Sequence, residues 1–384
     1  MRDPSLPPFA TADRHGVRGW CPTAWRPMEA GDGWLMRLRP PFGRLGHAQA
    51  LALHDAATRF GNGRIDLTNR GALQLRGVTE ALWRPLIEQL VAAGLVDPIP
   101  ERDARRAILL VPDWRTGDDT HRIASALLAR IDELPDLPAK MGIAIDAGPA
   151  PALSGTPADF RIERGTGGGL ILRAEGHAEG LPIDVDGAVD ALVTLAHWFV
   201  ATGGHRSGRM ARHATPLPGM DALVAPLPPR SRAETIRAAD GAFRGAPFGE
   251  LEAGRLASLL SDGDARAIRL TPWRGVILEG ARPGAEPSPD PDDPLLRVDA
   301  CPGRPACPQA TVATRAIARR LAPHVEGRLH VSGCAKGCAC PGEADLVLTG
   351  CNGRFDLAHH ARAGGPPFRE GLTPDQIFAL LGAS

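Results

Sequence analysis

A chain of 384 residues with 43% hydrophobic content has room for two or three domains, each with its own core. Its 44 basic and 44 acidic residues cancel, which argues against a general nucleic-acid binder held by phosphate neutralisation. The longest apolar stretches, such as ALVTLAHWFVA at 191–201, are broken by His or too short to span a bilayer. The N-terminal MRDPSLPPFATADRHG lacks a secretory apolar run, so the reading is a cytoplasmic protein without a membrane segment.

Residues 1–16 read as a flexible lead-in, and 17–100 as a first half-domain. Within it GWLMRLRP alternates like a strand, GHAQALALHDAATRF has helical spacing, GRIDLTNRGALQLRG reads as two strands joined at Asn69-Arg70-Gly71, and TEALWRPLIEQLVAAGL is a helix ending near Gly94. Residues 101–235 form a first α/β module that contains Lys140. Its GTGGGL at 165–170 reads as a loop rather than a nucleotide fingerprint. Residues 236–282 repeat the first half-domain: PPFGRLGHAQALALHDAATRFGNGRIDLTNRGALQLRG at 40–77 is echoed by APFGELEAGRLASLLSDGDARAIRLTPWRGVILEG at 246–280. The two copies, about 205 residues apart, imply halves packed about a pseudo-twofold axis. A Pro- and Asp-rich linker spans 283–299. Residues 300–384 then offer a helix in ATVATRAIARRLAPHV and strands in GRLHVSG and GEADLVLTG. The fold class is α+β, with helices on one face of mainly antiparallel sheets.

Two skews of composition mark candidate site motifs. The 44 basic residues include only two lysines, Lys140 and Lys336. Coding bias explains the arginine excess, yet a lysine retained against it belongs where a compact ammonium is needed. Of the seven cysteines, Cys21 stands alone and Cys301, Cys307, Cys334, Cys338, Cys340 and Cys351 crowd the C-terminal quarter. An odd total without an export signal favours a metal or redox site over disulfides.

The spacing Cys301-x5-Cys307, 26 intervening residues, Cys334-x3-Cys338 supplies the four thiolates of a cubane iron-sulfur cluster. A zinc knuckle or buried free thiols are the alternatives, and the x5 pair is wide for zinc. Gly333 and Gly337 remove bulk beside two of the ligands, and Lys336 comes within reach of the cluster's negative charge.

CPGRPAC followed by GCAKGC resembles the cluster motif of the sirohaem nitrite and sulfite reductases, and LTNRG and LTPWRG match their twin ferredoxin-like half-domains. Within that superfamily, RGWCPTAWRPMEAGDGWLMRLRPPFG followed by GNGRIDLTNRGALQLRG looks most like the precorrin-3B synthases. The resemblance runs from about residue 17 to 350 and is weak between 150 and 240. It implies two pseudo-twofold-related half-domains, plus α/β modules that bind a 4Fe-4S cluster on Cys301, Cys307, Cys334 and Cys338 with Lys336 beside it. It also implies basic site residues at Arg39 in RLRPPFG, Arg70 in LTNRG, Arg106 in RRAILLVP and Lys140 in LPAKMG. Departures are Gly142, where the reductases carry a second lysine, and Cys340, where the synthases are expected to carry His.

What the resemblance implies of function is an O2-dependent monooxygenase of aerobic cobalamin biosynthesis. It would hydroxylate precorrin-3A and close a γ-lactone to give precorrin-3B, using the cluster, a mononuclear non-haem iron, and electrons from NADH through an electron-donor protein. The rivals are a sirohaem-dependent sulfite or nitrite reductase and a non-catalytic iron-sulfur electron-transfer protein. No ligands for the mononuclear iron stand out among the histidines, and Cys21, Cys340 and Cys351 have no matched role.

Overall fold

The computed structural model describes residues 21–219, 222–261, 265–281 and 293–383. The 1–16 lead-in and residues 283–292 of the linker lie outside them. Among the described residues no helix is long and apolar enough to cross a membrane.

The two half-domains exchange strands. The first builds an antiparallel sheet in the order Met28–Ala30, Gly33–Leu38, Leu73–Val78, Arg64–Leu67, and its fifth strand is Glu250–Glu252 from the second half. The second orders Gly241–Gly245, Gly275–Glu279, Ala267–Leu270, and its fourth strand is Arg44–Gly46 from the first half. Both exchanged strands follow a Pro-Phe-Gly turn in which the phenylalanine holds a positive φ, 60° at Phe42 and 61° at Phe248. Such values are costly for a bulky residue. Each turn directs the chain out of its own half and onto the other. Helices His47–Phe60, Glu80–Ala92 and Ala253–Ser261 then bury one shared core in which Leu53, Leu86 and Leu90 meet Leu256 and Leu260.

Each half-domain is accompanied by a mixed sheet, and the two sheets have one plan. In the first, Ile108–Leu110, Ile143–Asp146 and Phe160–Arg164 run parallel, then Leu170–Ala174 and Leu181–Ile183 return antiparallel. In the second, Val298–Ala300, Leu329–Ser332 and Ala344–Cys351 run parallel, then Arg354–Ala361 and Arg369–Leu372 return antiparallel. The repeat seen in the half-domains therefore extends to the modules, whose sequences no longer show it. GTGGGL is the hairpin turn between Phe160–Arg164 and Leu170–Ala174, with Gly165 N–H donating to Gly169 O at 2.9 Å.

Two expected elements shift at their ends. The linker read to 299 gives way earlier, because Val298–Ala300 is a fully buried strand. The helix read from 310 begins at Arg315. Residues before it are drawn out by long-range bonds: Thr311 N–H donates to Gly333 O at 2.9 Å, and Arg304 N–H to Val312 O at 2.9 Å.

Buried polar groups in the first module carry a pH signature. One oxygen of Asp146, Oδ2, accepts the N–H groups of Ala152 and Leu153 at 2.6 and 2.7 Å. The other, Oδ1, is buried without a partner. Burial pushes this carboxyl up to about 6, against the opposing backbone N–H groups and Arg230. The folded chain therefore holds a proton that the unfolded chain releases between about pH 4 and 6, and Asp146 lowers stability as pH rises through that window. Asp146→Asn, with its amide oxygen facing the same two N–H groups, is expected to remove that dependence. The wild-type and variant urea-unfolding curves should diverge by on the order of 3 kcal/mol from pH 4 to pH 7.

Candidate functional site

Parallel strands place their ligands at carboxyl ends, and that is where the cysteines stand. Cys301 directly follows Val298–Ala300, and Cys334 lies two residues beyond Leu329–Ser332. Gly333 N–H donates to Cys301 Sγ at 3.1 Å, and Thr314 Oγ1 donates to Cys301 O. Small residues permit the approach of the loops: a Cβ at Gly333 would come within 2.6 Å of Ala310 Cβ and 3.4 Å of Cys301 Sγ. Gly337, between Cys334 and Cys338, holds a left-handed φ of 61°.

The four thiols share one electrostatic neighbourhood. Burial pushes the Cys301 thiol up, and Cys307 and Cys334 add to the shift. Burial likewise raises Cys338; Lys336 opposes it, and Cys334, Cys301 and Cys307 reinforce it. All seven cysteines are free thiols. Among the described residues no three or more His, Cys, Asp or Glu side chains form a group that could hold a metal ion. A cubane asks for less, since each thiolate binds a different corner iron. The donor set fits such a group: soft sulfur in two loops, backbone N–H groups aimed at sulfur, and Lys336 at the rim. Among the described residues no ligand set for the expected mononuclear iron is assembled.

Ion pairs fix this module on the first sheet. Arg76 donates to both oxygens of Asp32, at 2.9 and 2.8 Å, and to Ala306 O in the cysteine loop at 3.4 Å. Arg315 reaches Asp66 at 3.4 Å and also pairs with Glu250.

The basic residues gather toward the other end of the same sheet. Along Gly33–Leu38, Met36 and Leu38 enter the helix-covered core, so Arg37, and Arg39 just beyond, leave on the opposite face. Arg37 Nε and Arg39 Nη1 are buried with no hydrogen-bond partner. Burial and the adjacent Arg37 lower the Arg39 guanidinium to about 10, against Asp103 and Cys21. Arg70 and Arg209 both donate to the backbone carbonyl of Lys140, at 2.5 and 2.6 Å. Burial and Arg209 lower Arg70. The Lys140 ammonium is half-buried and makes no hydrogen bond or ion pair among the described residues. Arg106 is different, since its guanidinium pairs with Asp97 at 2.6 Å.

A cavity of about 1010 Å³ opens beside this group, between the first half-domain and the first module. Trp25, Trp83, Ile87 and Met141 supply apolar wall, and Arg39 and Cys21 reach it too. A crevice of about 30 Å³ adjoins it, lined by Arg37, Arg39, Arg70 and Arg106.

The structure thus brings Cys301, Cys307, Cys334, Cys338 and Lys336 together in one place, and Arg39, Arg70, Arg106 and Lys140 in another. The sequence reading missed Arg37, although alternation in RLR puts it on one face with Arg39. It also missed Arg209, which lies where the resemblance is weak and no periodicity marks it.

Comparison with known proteins agrees with this architecture. The family described as nitrite/sulfite reductase ferredoxin-like half domain matches residues 26–93. The chain is 30% identical to a precorrin-3B synthase of Sinorhizobium sp over 91% of its own length and 84% of that protein. It is 33% identical to a ferredoxin--nitrite reductase of Synechococcus elongatus over 35% of its length and 29% of that protein. The solved structure of the Mycobacterium tuberculosis NirA protein superposes with a TM-score of 0.58 at 16% identity, covering 90% of this chain and 78% of that one, which shows a shared fold. With 30% identity to that synthase over most of both chains, the protein belongs to the precorrin-3B synthase family of enzymes, within the nitrite and sulfite reductase superfamily.

Proposed function

We propose that the protein is an O2-dependent monooxygenase that converts precorrin-3A to precorrin-3B. One atom of O2 enters the substrate as a hydroxyl on a bridging carbon while a ring acetate closes a γ-lactone. The other atom leaves as water, with two electrons drawn from NADH through an electron-donor protein. The observation that carries this reading is a pair of buried guanidinium nitrogens without acceptors, Arg37 Nε and Arg39 Nη1, beside a cavity large enough for an organic macrocycle. Leaving such donors unsatisfied costs stability, and a polycarboxylate supplies the missing acceptors.

Bidentate carboxylate pairing on Arg37, Arg39 and Arg70 would orient the ring. Trp25 and Trp83 offer it apolar surface, and Lys140 adds positive charge. Cys301, Cys307, Cys334 and Cys338 would hold the 4Fe-4S cluster, which passes single electrons when bound. Arg106, held by Asp97, acts in this reading as a support for the wall. The reading includes a mononuclear iron for O2, and no step is assigned to it because its ligands are not assembled among the described residues. The match to a nitrite reductase favours a second reading, sirohaem-dependent anion reduction.

Two experiments test the proposal. Protein purified without oxygen is expected to be brown, with about four irons and four sulfides per chain. Cys334→Ser is expected to bleach it. Absorption bands of bound sirohaem would favour the second reading, and colourless iron-free protein would remove the first. Arg39→Met is expected to raise the unfolding free energy of ligand-free protein, read from urea curves, by about 1–3 kcal/mol. The same variant should bind a polycarboxylate tetrapyrrole more than tenfold more weakly, a gain and a loss that together mark a residue kept for binding.

A further inference from the structure

The large cavity and the small arginine crevice share four residues, Arg39, Ala107, Gly142 and Ile143. Two of these are as small as residues come, and they lie side by side where the first two parallel strands begin: Ile143 N–H donates to Ala107 O at 2.9 Å, and a Cβ built on Gly142 would meet only that oxygen, at 3.5 Å. Nothing in the backbone demands glycine there. Its φ is not left-handed, and the Cβ position is in ordinary contact range. The position is nevertheless rigid. Gly142 N–H donates to Asp159 Oδ2 at 3.1 Å, and Gly142 O accepts Asp159 N–H at 2.7 Å. Asp159 is itself held by Arg209 at 3.1 Å.

Beyond this passage the crevice holds about 30 Å³, roughly the share of one water molecule in the liquid. That space admits one small polar group and no ring. Four arginines line it among small and apolar residues, and two of them, Arg37 and Arg39, carry buried nitrogens without acceptors.

Resting on the tetrapyrrole reading, we infer that Gly142 and Ala107 form the floor of a neck over which one carboxylate arm of the ligand passes from the cavity to Arg37, Arg39 and Arg70. The body of the ligand stays in the cavity. The two small residues are specificity-determining: they select a bulky molecule that carries flexible carboxylate arms over a compact inorganic anion, which would need no neck.

The test compares full-length wild type with Gly142→Leu, Ala107→Leu and Gly142→Ala. Two fluorescent probes are titrated: uroporphyrin, a tetrapyrrole with carboxylate arms on every ring, and N-phenyl-1-naphthylamine, an apolar dye without them. Both leucine variants are expected to keep the wild-type melting temperature and dye affinity while losing uroporphyrin affinity at least tenfold. Gly142→Ala should behave as wild type. Equal uroporphyrin binding by wild type and the leucine variants overturns the neck and leaves the tetrapyrrole reading standing. Parallel loss of both probes also overturns it, since the substitution would then have collapsed the cavity. Wild type that takes up no uroporphyrin overturns the tetrapyrrole reading and the neck with it.

Discussion

Two phenylalanines held in the left-handed region are the joints on which the molecule depends. Phe42 and Phe248 each pay about 1–2 kcal/mol in backbone strain. What offsets it is where the rings go. Phe42 leaves its own half-domain and packs against the first module, 5.8 Å from Trp114 and 5.3 Å from His121 between ring centres. Phe248 enters the core of the C-terminal module beside Val298 and Ala300. Burial of a ring is worth about 1.5–3 kcal/mol, enough to hold the turn. The same turns launch the exchanged strands, so module docking and strand exchange are fixed by one local conformation used twice.

Around those joints, charge is divided into two kinds. Arg76, Arg230, Arg269 and Arg315 are paired: the first three meet carboxylates of their own half-domain or module, at Asp32, Asp113 and Glu279, and Arg315 reaches Asp66 across the boundary to the first sheet. Arg37 and Arg39 lie on the same sheet face as Arg76 yet keep nitrogens without acceptors. A sheet that satisfies one end of its polar face and starves the other carries both a structural contact and a binding surface. About six residues of extended strand, roughly 20 Å at 3.3 Å each, separate Arg39 from Gly33, which follows the turn whose Gly31 lies against Ala306 and Pro308 of the cysteine loop. A ligand lying along that face would span the distance between the two functional groups.

Much of this was legible in the chain. The Pro-Phe-Gly repeat marked the twin halves because the turn needs those residues in that order, and a motif under such local constraint survives divergence. That the two cysteine pairs adjoin in the fold was an expectation that spacing alone could raise, and Gly333 N–H donating to Cys301 Sγ joins their loops. Strand exchange was not legible, since Arg44–Gly46 and Glu250–Glu252 carry nothing in three residues that says which sheet accepts them. Arg106 shows the converse limit. Its type and place suggested a site residue, and only coordinates reveal that Asp97 already occupies its guanidinium. Arg209 reaches the site from residues 204–212, where short turns leave no periodic pattern to read.

The matched plan of the two mixed sheets has a consequence for descent. Counting outward from the paired strands, Val111 stands where the C-terminal sheet has Cys301, and Gly148 where it has Cys334. The first copy keeps the scaffold and lacks the sulfur, and its Asp146 occupies the position of Ser332. A fused pair descended from a self-associating ancestor leaves such a trace, in which one copy carries the cysteines and its sibling, without them, forms one wall of the large cavity.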